Sequence, residues 1–323
     1  MSKADDLLDA TVRHQIGILR LSNATSAKML ALLARVEADV LAQLRALDMD
    51  GITARRLDRQ LEAVRLLYRQ EYDRLNGILQ ADLDDLADYE AGFAARQLRA
   101  TVGGAFDRPT RAVVVAAVNA RPFQGRFLSE WMAGLGEDNG RRVRDAMRIG
   151  FVEGESLQQL IARIRGTRAN GYRDGILEIN RRAAERIVRT SINHTAARAR
   201  EEAFRSSPLI SAVQWVSVLD SRTSVVCAGR DGETYQIDSG PRPPAHFNCR
   251  SQITAVLDGF PPAERVTYEQ WLKRQPTSVQ NEVLGPSRAE LWRNGDVPLD
   301  RFVDRKGEMW TLDELRRREK VDI

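Results

Sequence analysis

Cysteine and histidine are nearly absent from this chain. Two cysteines, Cys227 and Cys249, and three histidines, His14, His194 and His246, are spread over 323 residues. Two cysteines cannot make the disulfide framework of a small secreted scaffold. Long apolar runs are missing as well: the longest, Ala112 to Val118, falls far short of the ~20 residues that cross a bilayer. No membrane span is expected. Met1 to Asp9 holds three aspartates and no apolar stretch, so no secretory signal is expected there. Lysine is scarce too. Arginine supplies 44 of the 49 basic residues, and its planar fork suits phosphate and carboxylate better than a point charge does.

What is present is a soluble globular composition, 43% hydrophobic and 29% charged, in a chain long enough for two or three domains. The net charge of +4 is unevenly placed. Met1 to Ala120 carries 16 basic against 17 acidic residues, whereas Arg141 to Arg205 carries 15 arginines against 8 acids. A basic helix face is most often solvated surface, and the alternative is contact with nucleic-acid phosphates.

From Val12 to Leu47 a heptad-like seam runs through Ile16, Leu19, Asn23, Ser26, Leu30, Leu33, Glu37, Val40, Leu44 and Leu47. Seven of the ten are apolar, which predicts a long helix packed on a neighbour. Asp48 to Gly51 predicts a turn, with Thr53 capping a second long helix through Leu57, Leu61, Val64, Tyr68, Leu75 and Ile78. Its aromatic residues Tyr68, Tyr72, Tyr89 and Phe93 are read as core. Together the two make an antiparallel hairpin. Short helices are expected over Thr110 to Ala120, Phe127 to Leu135, Arg141 to Val152 and after Ser156, then a long one over Ile176 to Arg205. That last helix has a basic face of Arg181, Arg182, Arg186, Arg189, Arg198 and Arg200.

After Pro208 the period changes. Val213 to Leu219 and Ser251 to Leu257 read as strands, and Asp231-Gly232 has hairpin-turn chemistry before a strand at Glu233 to Tyr235. The fold class is therefore α+β, mostly α: long helices with a small β-rich cap near 212–257. Three regions are expected, with a helical hairpin and short helix over 1–120, the cap and its helices over 121–257, and a helical extension over 258–323.

The densest chemistry lies between Trp215 and Arg250. Arg189-Thr190 on a helix, then Trp215, Asp220-Ser221-Arg222-Thr223, Cys227, Asp231-Gly232, Tyr235, Pro243-Pro244, His246 and Asn248-Cys249-Arg250 together resemble the phage head morphogenesis family. These are minor head proteins similar to protein F of phage Mu and gene product 7 of phage SPP1. The resemblance covers roughly 121–257. It implies a minor component of the virion, placed in the capsid interior after assembly in the host cytoplasm. The implied partners are the portal protein, the inner capsid and packaged double-stranded DNA, with no membrane at the assembly stage and no enzymatic activity. Six to ten phosphate contacts from the arginine face would lower DNA affinity by about 10³ to 10⁵ between 50 and 200 mM salt.

Members of that family resemble a zinc pattern, Cys-x-x-Cys ahead of His-x-x-Cys. Here the first position is Ser224, leaving Cys227, His246 and Cys249. Structural zinc takes four protein ligands, so the expectation is no cofactor, with zinc the one candidate; Asp220 or Asp231 could complete its site, serine being a poor substitute for thiolate. Asp220 and Arg222 are read as an internal fastener and the two cysteines as packed residues. The competing function is a metal-dependent nuclease built on His246 and Asn248, which would need a second base and a metal ligand nearby.

Overall fold

The computed structural model describes residues 2–46, 53–103, 106–304 and 309–321. Helices dominate. Helix α1 spans Lys3–Arg45 and α2 spans Ala54–Val102; the proposed turn at Asp48 to Gly51 lies outside the described residues. Thr53 does cap α2, its hydroxyl accepting the Arg56 N–H at 3.2 Å. The two helices are in contact: Lys28 reaches Asp82 at 2.7 Å, and His14 reaches Glu90 at 2.6 Å.

The expected seam is buried at Ser26, Leu33, Glu37, Val40 and Leu44, but the buried stripe of α1 follows a longer repeat. Leu7, Ile18, Met29 and Val40 recur every eleven residues, as do Leu57, Tyr68, Leu79 and Glu90 on α2, all of them buried. Eleven residues in three turns is 3.67 per turn, close to the natural α-helix, whereas a heptad drifts away from it. The heptad reading therefore slips upstream, and Ile16 is 53% exposed. Tyr89, expected in the core, is exposed as well.

Helix α3, Arg111–Asn119, is capped by Thr110. Helix α4 is a single element, Leu128–Val152, where two pieces are expected from sequence. Gly136 and Gly140 do not break it, because they are contact residues: a Cβ on Gly136 would lie 3.0 Å from the Tyr72 Cβ, and one on Gly140 3.3 Å from the Tyr68 Cβ. Helix α5, Leu157–Arg165, begins with a Ser156/Gln159 capping box, and α6 spans Ile176–Arg205.

Strand β1, Ile210–Val216, is central in a three-stranded antiparallel sheet, flanked by β2, Thr234–Gln236, and β3, Gln252–Leu257. Val213 sits opposite Tyr235 on one side and Ala255 on the other. The expected tight hairpin at Asp231-Gly232 is instead the exit from a helix, α7, Val225–Arg230. The β-branched Val225 and Val226 disguise it. The chain ends in α8 (Tyr268–Lys273), α9 (Thr277–Leu284), α10 (Pro286–Asn294), a 3₁₀ turn (Leu299–Phe302) and α11 (Leu312–Glu319). Among the described residues no helix is long and apolar enough to cross a membrane.

Two compact units result: Met1–Arg20, Leu86–Ala120 and Ile192–Ile323 form one, and Leu21–Asp85 with Arg121–Ser191 form the other. The division falls inside α1, α2 and α6. In the first unit, Ala87, Ala91, Val114, Ala199 and Ala203 from helices meet Val213, Ile253 and Leu257 of the sheet. A second core joins Val225 and Ala228 of α7 to Tyr268, Leu272, Trp292 and Phe302. Gly229 admits this approach, since a Cβ there would lie 3.0 Å from the Asp300 Cα.

Candidate functional site

The cap is built from β1 outward. Trp215 is fully buried, and its indole N–H donates to Ser217 Oγ at 3.0 Å. The Ser217 hydroxyl donates in turn to the Cys227 carbonyl at 2.7 Å. The Ser217 N–H donates to Asp231 Oδ1 at 2.6 Å, which ties the end of β1 to the end of α7. Asp231 Oδ2 accepts two more bonds at 2.7 Å, from the Tyr268 N–H and from Arg265. Burial pushes the Asp231 carboxyl up from its ordinary value, against the pull of Arg265 and the two amides. Gly232 donates to the Trp215 carbonyl at 2.9 Å, and Tyr235 continues the pairing in β2.

Asp220 forms a two-armed pair with Arg250, at 2.7 and 2.6 Å. Burial opposes its ionisation, but the Arg250 hydrogen bonds and charge outweigh that and hold its carboxyl below the usual range. Beside it, the expected Asp220–Arg222 contact is the weaker of the two. The Arg222 side chain is 80% exposed and 3.6 Å from Asp220, and only its backbone N–H bonds that carboxylate, at 3.1 Å. Arg250 does the fastening because its guanidinium faces Asp220 from beside β3. Thr223 donates its hydroxyl to the Val218 carbonyl.

Cys227, His246 and Cys249 do meet, their ligand atoms all within 4.8 Å of one another. Cys227 sits on α7. Beyond the cis Pro243-Pro244 bond, Asn248 takes a left-handed φ of 58°, and the Cys249 N–H donates to the His246 carbonyl at 3.2 Å. Cys227 Sγ lies 3.2 Å from His246 Nε2 and 3.6 Å from Cys249 Sγ. Ser224 Oγ lies 2.7 Å from the same Nε2 and accepts the Cys227 N–H at 3.3 Å as the α7 cap. The hydrogen bond to Cys249 draws the Cys227 thiol down to about 7, with burial opposing and Ser224, Ser251 and Arg230 assisting. Burial pushes the Cys249 thiol well up.

Zinc with thiolate arms of ~2.3 Å and imidazole arms of ~2.0 Å sets sulfur to sulfur at about 3.8 Å and sulfur to nitrogen at about 3.5 Å. The observed 3.6 and 3.2 Å come near those edges. The fourth corner does not: Ser224 Oγ to Nε2 at 2.7 Å is a hydrogen-bond distance, against about 3.4 Å between two ligands of one tetrahedral ion. The donors present do not form a closed four-ligand zinc site. Asp220 and Asp231, the other candidates for the fourth ligand, are engaged elsewhere.

The six arginines of α6 are not one free face. Arg181, Arg182, Arg186 and Arg189 belong to one unit, and Arg198 and Arg200 to the other. Arg181 pairs with the buried Glu37, Arg182 with Glu178, and Arg189 with Glu185 and Asn23. Arg198 pairs with Glu201. Arg200 is 2% exposed and donates to Glu90 at 2.6 Å, beside His14. Arg182 and Arg186 are exposed.

Several residues escape a sequence reading. Arg265 and Ser217 sit in unremarkable surroundings in the chain. Arg242 is visible only as a cation between prolines; buried, it donates to Glu201 and to the carbonyls of Gln236, Ile237, Ser239 and Pro241. No curated protein and no solved structure matches the chain. Residues 141–254, the segment running from α4 through the cap into β3, match the family of phage Mu protein F like proteins, in agreement with the resemblance carried by Trp215 to Arg250.

Proposed function

We propose that this protein is a minor head protein of a tailed phage, acting in head assembly at the portal or in the capsid interior. The observation that carries this reading is the match of 141–254 to phage Mu protein F like proteins, a family that points to phage head morphogenesis. The way the matched segment uses its polar residues supports a structural role. Asp220, Asp231 and His246 are each spent on bonds within the protein. Among the described residues, the one cluster of three or more possible ligands contains no carboxylate. A metal-dependent nuclease on His246 and Asn248 would need a second base and an oxygen ligand for its metal, and no observation favours it.

DNA contact narrows to the exposed part of α6. Arg182 and Arg186 with one further arginine make about three phosphate contacts, for which affinity falls about 40-fold from 50 to 200 mM salt. Duplex titrations at the two salt concentrations read this directly, and binding that ignores salt removes DNA from the proposal. The assembly role is tested by co-expressing the tagged chain with the portal protein of its own phage. A stable complex is expected. Quantitative recovery of the chain free of portal, under conditions where the portal itself assembles, contradicts the portal placement.

A further inference from the structure

We infer that Ser224 replaces a metal: its hydroxyl closes the Cys227, His246 and Cys249 cluster by hydrogen bonds, and the cap holds its fold without zinc. The cluster's proton positions follow from its partners. His246 Nδ1 lies 2.8 Å from the Phe247 carbonyl, and a carbonyl only accepts, so Nδ1 carries the proton and Nε2 of the neutral ring is an acceptor. The Ser224 hydroxyl then donates to Nε2 across 2.7 Å, while its lone pair accepts the Cys227 N–H. The Cys227 thiol lies over the same nitrogen at 3.2 Å, and the Cys249 thiol donates to Cys227 Sγ at 3.6 Å. The Ser224 hydroxyl, at 2.7 Å, is the nearer of the two groups that face the Nε2 lone pair.

A bound ion would undo it. Nε2 has a single lone pair, and Ser224 already holds it; the serine hydroxyl would have to give up Nε2 to become a weak fourth ligand. A thiolate at position 224 differs on each count, since it would make the set three thiols and one imidazole, a combination that holds structural zinc. Residue 224 therefore decides whether the cap is closed by a metal or by a hydroxyl, and this chain has the hydroxyl form.

The test compares the full-length wild type with Ser224→Cys, Ser224→Ala and Ser224→Thr, each purified after growth with added zinc. Wild type is expected to carry less than about 0.1 zinc per chain and to melt at the same temperature with and without chelator. Ser224→Cys is expected to carry about one zinc and to melt lower once chelated. Ser224→Ala removes cap and latch together and is expected to lower the melting temperature by about 2–4 °C. Ser224→Thr keeps the hydroxyl and most of the stability. Wild type carrying stoichiometric zinc, with a melting temperature that falls on chelation, overturns the inference. So does Ser224→Ala melting with wild type, a result that stands even if Ser224→Cys fails to fold.

Discussion

The packing of α2 on α4 and the cap around Asp231 both bury side chains completely, yet they are specified in opposite ways. On α4, Gly136 and Gly140 lie four residues apart and simply give room to Tyr72 and Tyr68. The glycines' requirement is one of volume, and it repeats along the helix on either side of a single directional bond, from the Asn139 amide to the Tyr72 hydroxyl. In the cap, Asp231 gathers the amide of Ser217, the amide of Tyr268 and the guanidinium of Arg265, from positions up to 37 residues away in the chain. That requirement is directional and does not repeat. A volume contact yields gradually when it is overfilled; a buried carboxylate with three donors fails all at once when it is removed.

The largest effect therefore belongs to Asp231. Asp231→Ala strands Arg265 and two backbone amides in the interior, and a loss of about 3–5 kcal/mol is expected by urea denaturation. A loss below about 1 kcal/mol would place the cap among the gradual regions and break the contrast. Gly136→Val pushes a side chain into Tyr72, and about 1–3 kcal/mol is expected, with the helix content by circular dichroism unchanged. A cooperative collapse of the helices would show that the contact is less tolerant than its chemistry implies.

Asp220 sharpens the comparison because it lies nearer the surface, and Arg250 holds it below its ordinary pKa. A carboxyl whose folded pKa is depressed contributes stability above its unfolded value, and that contribution is lost as pH falls through the folded one. Asp220→Ala is expected to cost about 1–2 kcal/mol at pH 7, screening by solvent included. The difference from wild type should shrink below about pH 4. A difference that grows on acidification would contradict the assignment. Smallest of all, Arg222→Ala is expected to change stability by less than about 0.5 kcal/mol, whereas Arg250→Ala should approach the Asp220 value. Equal losses for the two arginines would restore the fastener expected from sequence.

The same contrast explains what the sequence makes legible. Helix existence follows from periodicity, and α6 falls on Ile176 to Arg205 in both sequence and structure. The eleven-residue repeat on α1 and α2 is harder to see, because Glu37 and Glu90 occupy buried positions in the stripe. Glu37 has its answer in Arg181, which lies 144 positions away, and Glu90 in Arg200 and His14. Polar interruptions of an apolar stripe were thus the signal that arginines on another helix are taken up in ion pairs, and they account for the basic face being smaller than its composition suggests. In the cap, the motif residues are recognisable one by one, yet which of Arg222 and Arg250 faces Asp220 depends on strand register, as does the meeting of Ser224 with His246. Arg265 and Tyr268 lie beyond the matched segment and carry no mark in the chain of their role at Asp231.

Service in the phage head is read out by quantitative mass spectrometry of gradient-purified heads and virions from its own phage. A few copies per particle are expected, retained after nuclease and high-salt washing and reduced when Asp231→Ala replaces the wild type. Particles that are complete and infectious while lacking the chain altogether would contradict it.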